Sequence, residues 1–357
     1  MSIMFSPFNP AKILHYSTEI QNYLKHGKIP NPAMVSFDFA NPCNHKCVWC
    51  NWTEHRAKEG GFLQEDVFES ILADCASMNV TGYEVCGGGE PLVHPFAHEY
   101  LAMLNELGRV LLITNGSNLI PEDGMHCETI RVSLDAATAE THRKLHQTND
   151  FEKILNNIKD VAELTRVGLG FLFHPDNYEE IPAFAELGKE LGCDFVQIRP
   201  CFTDYPIIRD TIGYDYFEWI NNKFGISPIT NGEAIERYIN TARQEYEDED
   251  FKVYSTVYKT EPKRDWTIEH CIASLFNPMV TPSGAVWICC ERRGVEGSLI
   301  GTVGIDGTFK DLWLGDRHKE LISVCPNNLC PAKDKYLGYN KVIDAAYIKQ
   351  TMDLDWI

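Results

Sequence analysis

Residues 33–50 read AMVSFDFANPCNHKCVWC. The first eight, AMVSFDFA, alternate loosely between apolar and polar side chains and stop at Asn41-Pro42, which is the pattern of a strand running into a breaker. Cys43, Cys47 and Cys50 follow at once. Three soft thiolates offered by one short loop can converge on a compact metal centre. Three thiolates leave a four-iron, four-sulfur cubane one ligand short, so one iron stays open to a small molecule. The competing reading is a structural zinc knuckle with His45 or a distant cysteine as fourth ligand.

The strand at 33–40 opens a repeating beat. Helical spacing over 65–78 puts Val67, Phe68, Ile71 and Leu72 on one face, and TGYEVC (81–86) reads as the next strand. RVLLIT (109–114), ETIRVSL (128–134), VGLGFLF (167–173) and DFVQIR (194–199) continue the series, with helices at 151–165 and 178–191. Six strands separated mainly by helices predict an α/β fold, a partial (β/α)6 TIM-like barrel, with a flat doubly wound sheet as the competing architecture. Residues 1–215 are read as the partial-barrel domain. Residues 216–254, with the acidic run EYEDED at 245–250, are read as a solvated connector. Residues 255–335, with short strands AVWIC (285–289) and LIGTVG (299–304), form a small metal-stabilised module, and 336–357 a C-terminal tail.

The 357 residues suffice for a substantial core. A formal charge of −19 argues against nucleic acid and anionic membranes as partners, and no basic patch offsets it. No stretch reaches the roughly 20 apolar residues of a membrane helix, and the first 30 residues lack the apolar core of a signal peptide, so a cytoplasmic location is expected. The 13 cysteines are then reduced thiols available to metal rather than bridges.

CxxxCxxC after the first strand of a parallel barrel resembles the hallmark of the radical S-adenosylmethionine (SAM) enzymes. The resemblance implies that Cys43, Cys47 and Cys50 hold a [4Fe–4S] cluster whose open iron binds SAM. It further implies reductive cleavage to a 5'-deoxyadenosyl radical that takes hydrogen from a substrate, with a reducing protein such as flavodoxin or ferredoxin as partner. Functional residues are then expected at the C-terminal ends of the strands. In CGGGEP (86–91), Gly88, Gly89 and Glu90 match the family segment that binds the cofactor's amino group. The run VSLDAATAETHRKLH (132–146) resembles the fourth-strand segment of the subfamily with auxiliary clusters, which assigns Ser133 and Arg143 to cofactor binding. A forked guanidinium suits the cofactor carboxylate. His142 is read as a surface residue. Asn115, in ITNG, offers a polar contact to cofactor or substrate, or is an ordinary turn residue. His174 and Arg199 end the fifth and sixth strands and are candidates to face the barrel mouth, His174 as an acid–base group or a packed residue. A buried arginine in an apolar strand needs an anionic or carbonyl partner.

A second set comprises Cys271, Cys289, Cys290, Cys325 and Cys330. Cys271, Gly284 and Cys289 make a CX12GX4C pattern resembling the opening of SPASM and twitch modules. That implies one auxiliary [4Fe–4S] cluster on Cys271, Cys289, Cys325 and Cys330, two clusters in all, although the wide Cys325–Cys330 gap departs from the family's CxxC. Cys290 is left as a spare, an alternative ligand or a hydrogen-atom donor, and zinc on four thiolates is the other reading. One auxiliary cluster favours a dehydrogenase that oxidises an alcohol to a carbonyl. An epimerase using Cys193, Cys201 or Cys290, a peptide-modifying enzyme and a zinc-stabilised interaction protein are the alternatives. The acidic balance favours an uncharged or cationic small molecule, such as an aminosugar or aminocyclitol.

Overall fold

The computed structural model describes residues 9–50, 52, 61–201, 232–257, 271–295, 297–324 and 335–349. One ten-stranded sheet organises them. The six expected strands are β1 (Val35–Asp38), β2 (Gly82–Cys86), β3 (Arg109–Thr114), β4 (Thr129–Ser133), β5 (Arg166–Phe173) and β6 (Phe195–Pro200). They lie side by side in chain order, all parallel.

Parallel neighbours need long crossovers, and helices supply them. Glu65–Ser77 buries Phe68, Ile71, Leu72 and Cys75, and Phe151–Ala162 buries Phe151, Ile154, Ile158 and Val161, the apolar faces legible in the sequence. Ile181–Glu190 covers the β5–β6 end. These helices pack on one face of the sheet, where Tyr83, Val85, Leu112, Ile130, Val132, Leu169 and Phe171 are sealed from water. Each fully buried aliphatic or aromatic side chain there contributes roughly 1.5–3 kcal/mol. The alternate positions of β2 and β4 are only half-buried, because they look into a cavity of about 1460 Å³ around which the sheet curves. The partial barrel expected from the beat of strands and helices is the fold observed.

The stretch 216–254 contains more than a solvated connector. Helix Gly232–Tyr246 leads through an Asp248-centred turn into β7 (Lys252–Ser255), which pairs in parallel with β6. On the other side, β8 (Met279–Val280) joins β1 in parallel, and β9 (Ala285–Trp287) and β10 (Leu299–Thr302) follow antiparallel. Gly284 sits in the expected turn before β9 with φ of +77°, a conformation glycine adopts without strain. Among the described residues, no helix is long and apolar enough to cross a membrane.

Candidate active site

The cysteine loop is strapped in place by backbone bonds. Lys46 and Val48 donate their N–H groups to the carbonyls of His146 and Leu145, at the end of helix Ala139–His146. Asn115 donates from Nδ2 to Asn44 Oδ1 at 2.8 Å, and Asn44 donates to Ser117 Oγ at 2.7 Å. Asn115 therefore lines the cavity but spends its amide on holding the loop to the end of β3. Cys43, Cys47 and Cys50 are all partly exposed and all line the cavity.

The glycine run after β2 passes against this loop. Gly89 and Glu90 donate their N–H groups to the carbonyls of Ala40 and Pro42. A Cβ on Gly89 would lie 1.9 Å from Pro42 O and 2.3 Å from Asn41 O, and one on Gly88 would lie 2.5 Å from Trp52 Nε1. Gly89 is thus required for backbone-to-backbone approach, and Gly88 for the close approach of the Asn41 and Trp52 side chains. Glu90 is buried, and its carboxylate accepts from Thr114 Oγ1 (2.6 Å), Asn115 N (2.7 Å) and Leu92 N (3.0 Å). Burial pushes its pKa up against those three bonds. The Glu90 side chain thus ties the end of β2 to the end of β3. Gly89→Ala is expected to destabilise the chain by about 1–3 kcal/mol and to lower iron loading, since the clash is with backbone that cannot rotate away. Urea midpoints and iron content of the reconstituted variant check this.

Cys47 carries the electrostatic signature of a ligand. Burial by itself raises a thiol's pKa, but the charge and hydrogen bond of His146, assisted by His45, hold Cys47 down at about 6. The thiolate is the form that binds metal. Burial disfavours charge on His146, yet Cys47 and Asp135 overcome it and hold the imidazole up at about 10. His146 Nδ1 lies 3.4 Å from Cys47 Sγ, its Nε2 3.0 Å from Asp135 Oδ2, and His45 Nε2 3.1 Å from Asp150 Oδ2. His45, Cys47 and His146 hold their ligand atoms within 4.8 Å of one another. The histidine nitrogens are engaged by carboxylates and by each other, whereas the loop thiols open to the cavity. This donor set fits a thiolate-held cluster better than a zinc ion on imidazole nitrogen.

The remaining candidates separate. Ser133 and Arg199 line the cavity, as does Cys290. Arg143 does not: it is exposed on helix Ala139–His146, outside the cavity lining. The reason is helical spacing, which turns His142, Leu145 and His146 inward from the Thr138 cap. His142, expected at the surface, is 0% exposed, stacks on His146 at 4.5 Å, and is pulled by burial down to about 3. His174 is likewise buried behind Trp49, with ring centroids 5.6 Å apart, rather than lining the cavity, and burial pulls it down to about 4. Cys271 and Cys289 are buried, and Asn340 donates to Cys271 Sγ at 3.1 Å. Cys325 and Cys330 lie outside the described residues.

Four residues went unread in the sequence: His146, Cys86, Arg131 and Arg293. Cys86 and Arg131 were within reach of the period-two rule, since they share the inward faces of β2 and β4 with Glu84 and Ser133. Arg293 reaches from the segment between β9 and β10 to pair with Asp38 at the end of β1, stacks 3.9 Å over the Trp52 ring and donates to Gly87 O at 3.2 Å. No local pattern announces it.

Residues 38–188 match the family model described as the Radical SAM superfamily. The chain carries a radical SAM domain. Over 207 residues it is 25% identical to the probable GTP 3',8-cyclase of Methanocaldococcus jannaschii, covering 55% of this chain and 64% of that protein. Over 180 residues it is 26% identical to the mycofactocin maturase MftC of Mycobacterium tuberculosis, covering 47% of this chain and 45% of that protein. The chain thus spans about half to two thirds of the curated relatives it matches. Among solved structures, Streptococcus suis SuiB bound to its precursor peptide SuiA superposes with a TM-score of 0.64 at 15% identity, over 91% of this chain and 74% of that one. Native anSMEcpe with bound AdoMet gives 0.58 at 14% identity, over 89% and 97%. Both likenesses are of fold. The radical SAM domain implies SAM and an iron–sulfur cluster as cofactors.

Proposed function

We propose that this chain is a radical SAM oxidoreductase that oxidises an alcohol of a small organic molecule to a carbonyl, with Cys43, Cys47 and Cys50 holding the SAM-binding cluster. The observation that carries this reading is one continuous cavity of about 1460 Å³ that joins those cysteines to Ser133, Arg199 and Cys290. That volume accommodates a cofactor together with a second small molecule. When bound, the cluster and SAM supply a radical able to remove hydrogen from carbon. Trp49 and Trp52 line the cavity beside the cysteine loop, where they would limit water around a bound cofactor. The backbone at 87–89 and Ser133 flank the space beside the cysteines and would hold the cofactor's polar end. Cys271, Cys289, Cys325 and Cys330 would hold an auxiliary [4Fe–4S] cluster that takes the substrate's second electron, while its proton leaves to solvent. A flavodoxin or ferredoxin is the expected reductant.

Epimerisation is the second reading, because further thiols line the same cavity. Burial, followed by Asp38, pushes Cys86 well above the ordinary thiol range, and burial followed by Asp135 does the same to Cys201. An intact S–H can return a hydrogen atom to a substrate radical. The sequence shared with a maturase, and the fold shared with a protein crystallised with its precursor peptide, add peptides to the candidate substrates.

The test is anaerobic incubation of reconstituted, dithionite-reduced protein with SAM in deuterated water, with aminosugars, aminocyclitols and short peptides as candidates. 5'-Deoxyadenosine accompanied by a new carbonyl is the expected result. Deuterium fixed at carbon without net oxidation would transfer the reading to epimerisation. Reconstituted protein that forms no 5'-deoxyadenosine at all would refute both.

A further inference from the structure

Arg131 takes no part in the chemistry above, yet it sits where a charge is hard to keep. The two-residue alternation of β4 turns it into the cavity. Removing a guanidinium from water is unfavourable unless a carboxylate or several acceptors replace the solvent. Among the described residues Arg131 has one hydrogen bond, from Nη1 to the neutral Oε1 of Gln197 at 2.8 Å, while its Nε is sealed from solvent with no acceptor. It has no ion pair among them. Glu84, on β2, accepts instead from Ser36 Oγ at 2.7 Å. Asp135, beyond β4, is taken by His146 and by the Leu172 N–H.

Arg199 adds a second positive charge to the same wall. In the sheet register Arg131 is level with Gly168, Arg199 with Leu172, and between them Gly170 is level with Ser133 and Gln197. A Cβ on Gly170 would lie 3.9 Å from Nη2 of Arg199. Glycine on β5 therefore leaves open the space that the upper guanidinium overhangs and the Arg131–Gln197 bond borders. Burial, followed by the charge of Arg199, pulls Arg131 down to about 9. Glu84, Cys86 and Asp135 act in the opposite direction but leave the direction of the shift unchanged, and an anion between the two guanidinium groups would relieve their repulsion.

We propose that Arg131, Arg199 and Gln197 form a subsite for an anionic oxygen group of the substrate, a carboxylate or phosphoryl group seated over Gly170. The forked guanidinium matches both groups bidentately. The proposal rests on the reading of this cavity as the substrate site of a radical SAM enzyme. SAM carries a carboxylate of its own, so the experiment must separate the two sources.

Inorganic phosphate is the probe, titrated against the full-length, cluster-reconstituted protein, with SAM titrated in parallel. The parent is expected to bind both. Arg131→Met and Gly170→Val are expected to weaken phosphate by about tenfold or more, with SAM affinity changed less than about twofold in both. Gly170→Val keeps both arginines, and its Cβ meets nothing closer than 3.5 Å; its melting temperature without phosphate checks that the fold is kept. Melting supplies a second readout. An arginine held in readiness for an anion destabilises the empty protein, so Arg131→Met is expected to raise the melting temperature without phosphate and to abolish the rise that phosphate produces in the parent.

An arginine that merely braces the wall gives the reverse, a lowered melting temperature with the phosphate response retained, and overturns the proposal. Absence of phosphate binding in the parent, or undiminished binding in both variants, overturns it as well. SAM affinity that falls in step with phosphate affinity identifies the cofactor carboxylate as the anion and also overturns it. A parent that binds phosphate, loses it in both variants and never binds SAM supports the anion subsite while removing the enzymatic reading beneath it.

Discussion

Cys50→Ala is expected to bring 5'-deoxyadenosine formation below about one-hundredth of the parent rate and to remove the iron of the first cluster, whereas His45→Gln retains that iron. The contrast decides between the two metals that the loop can be read to hold. A mononuclear ion would be gripped where ligand atoms already converge, on His45, Cys47 and His146, within 4.8 Å of one another. Cys50 would then be dispensable and His45 essential. A cubane needs the thiolates spread along the loop, so the dependence reverses. Physical chemistry favours the second pattern. His146 faces Asp135 through Nε2 and both Cys47 and His45 through Nδ1. Cys47 and Asp135 hold its imidazole up at about 10 against burial, so it is placed to donate to the sulfur of Cys47 while Asp135 takes its other nitrogen. Anaerobic iron, sulfide and zinc analysis of the two variants, with product quantified by mass spectrometry, reads the outcome. Zinc retained in Cys50→Ala and lost in His45→Gln would end the cluster assignment.

The strands and helices that build the barrel were legible because period-two and period-3.6 patterns report burial directly. Val35–Asp38, Arg109–Thr114 and Phe195–Pro200 fall where alternation and breakers put them. The site was legible where it depends on neighbours in sequence, as in the cysteine loop, and failed where a helix turns side chains by 100° per residue. Arg143 was chosen for its fork, but three- and four-residue spacing from Thr138 sends His142 and His146 inward and Arg143 out. The partners of Glu90 are hidden for another reason: Thr114 and Asn115, at the end of β3, donate to its carboxylate, which no local pattern reveals. Net charge is silent on the pocket in the same way: the chain sums to −19, while the cavity is lined by Arg131 and Arg199 together with Glu84 and Asp135. Charge summed over a chain is set by its surface, and a pocket is set by the few side chains whose strand positions point inward.

The second large effect is expected at Arg293, whose partner lies 255 residues away in sequence. Asp38 is 0% exposed and pairs with this guanidinium, which also donates to Gly87 O and lies flat over Trp52. Arg293→Met keeps most of the side-chain volume but takes the counter-charge from a carboxylate sealed away from water. Breaking a buried pair in this way costs about 3–5 kcal/mol, a large part of a typical domain's stability. The urea midpoint of Arg293→Met is therefore expected to fall steeply. Asp38→Asn in the same chain removes the stranded charge, so the double variant is expected to recover most of the loss, with a coupling of about 3 kcal/mol or less. Either single change that leaves the midpoint where it was would show the pair to be inert. SAM affinity separates a second role from this one. Trp52 and Gly87 lie beside the cysteine loop and in the glycine run, so the arginine ties the segment between β9 and β10 to the walls of the cavity. The double variant regains stability without regaining that tie. If Arg293 only stabilises, SAM binding recovers with the midpoint; if it also shapes the cofactor space, affinity stays low in a chain that is once again stable.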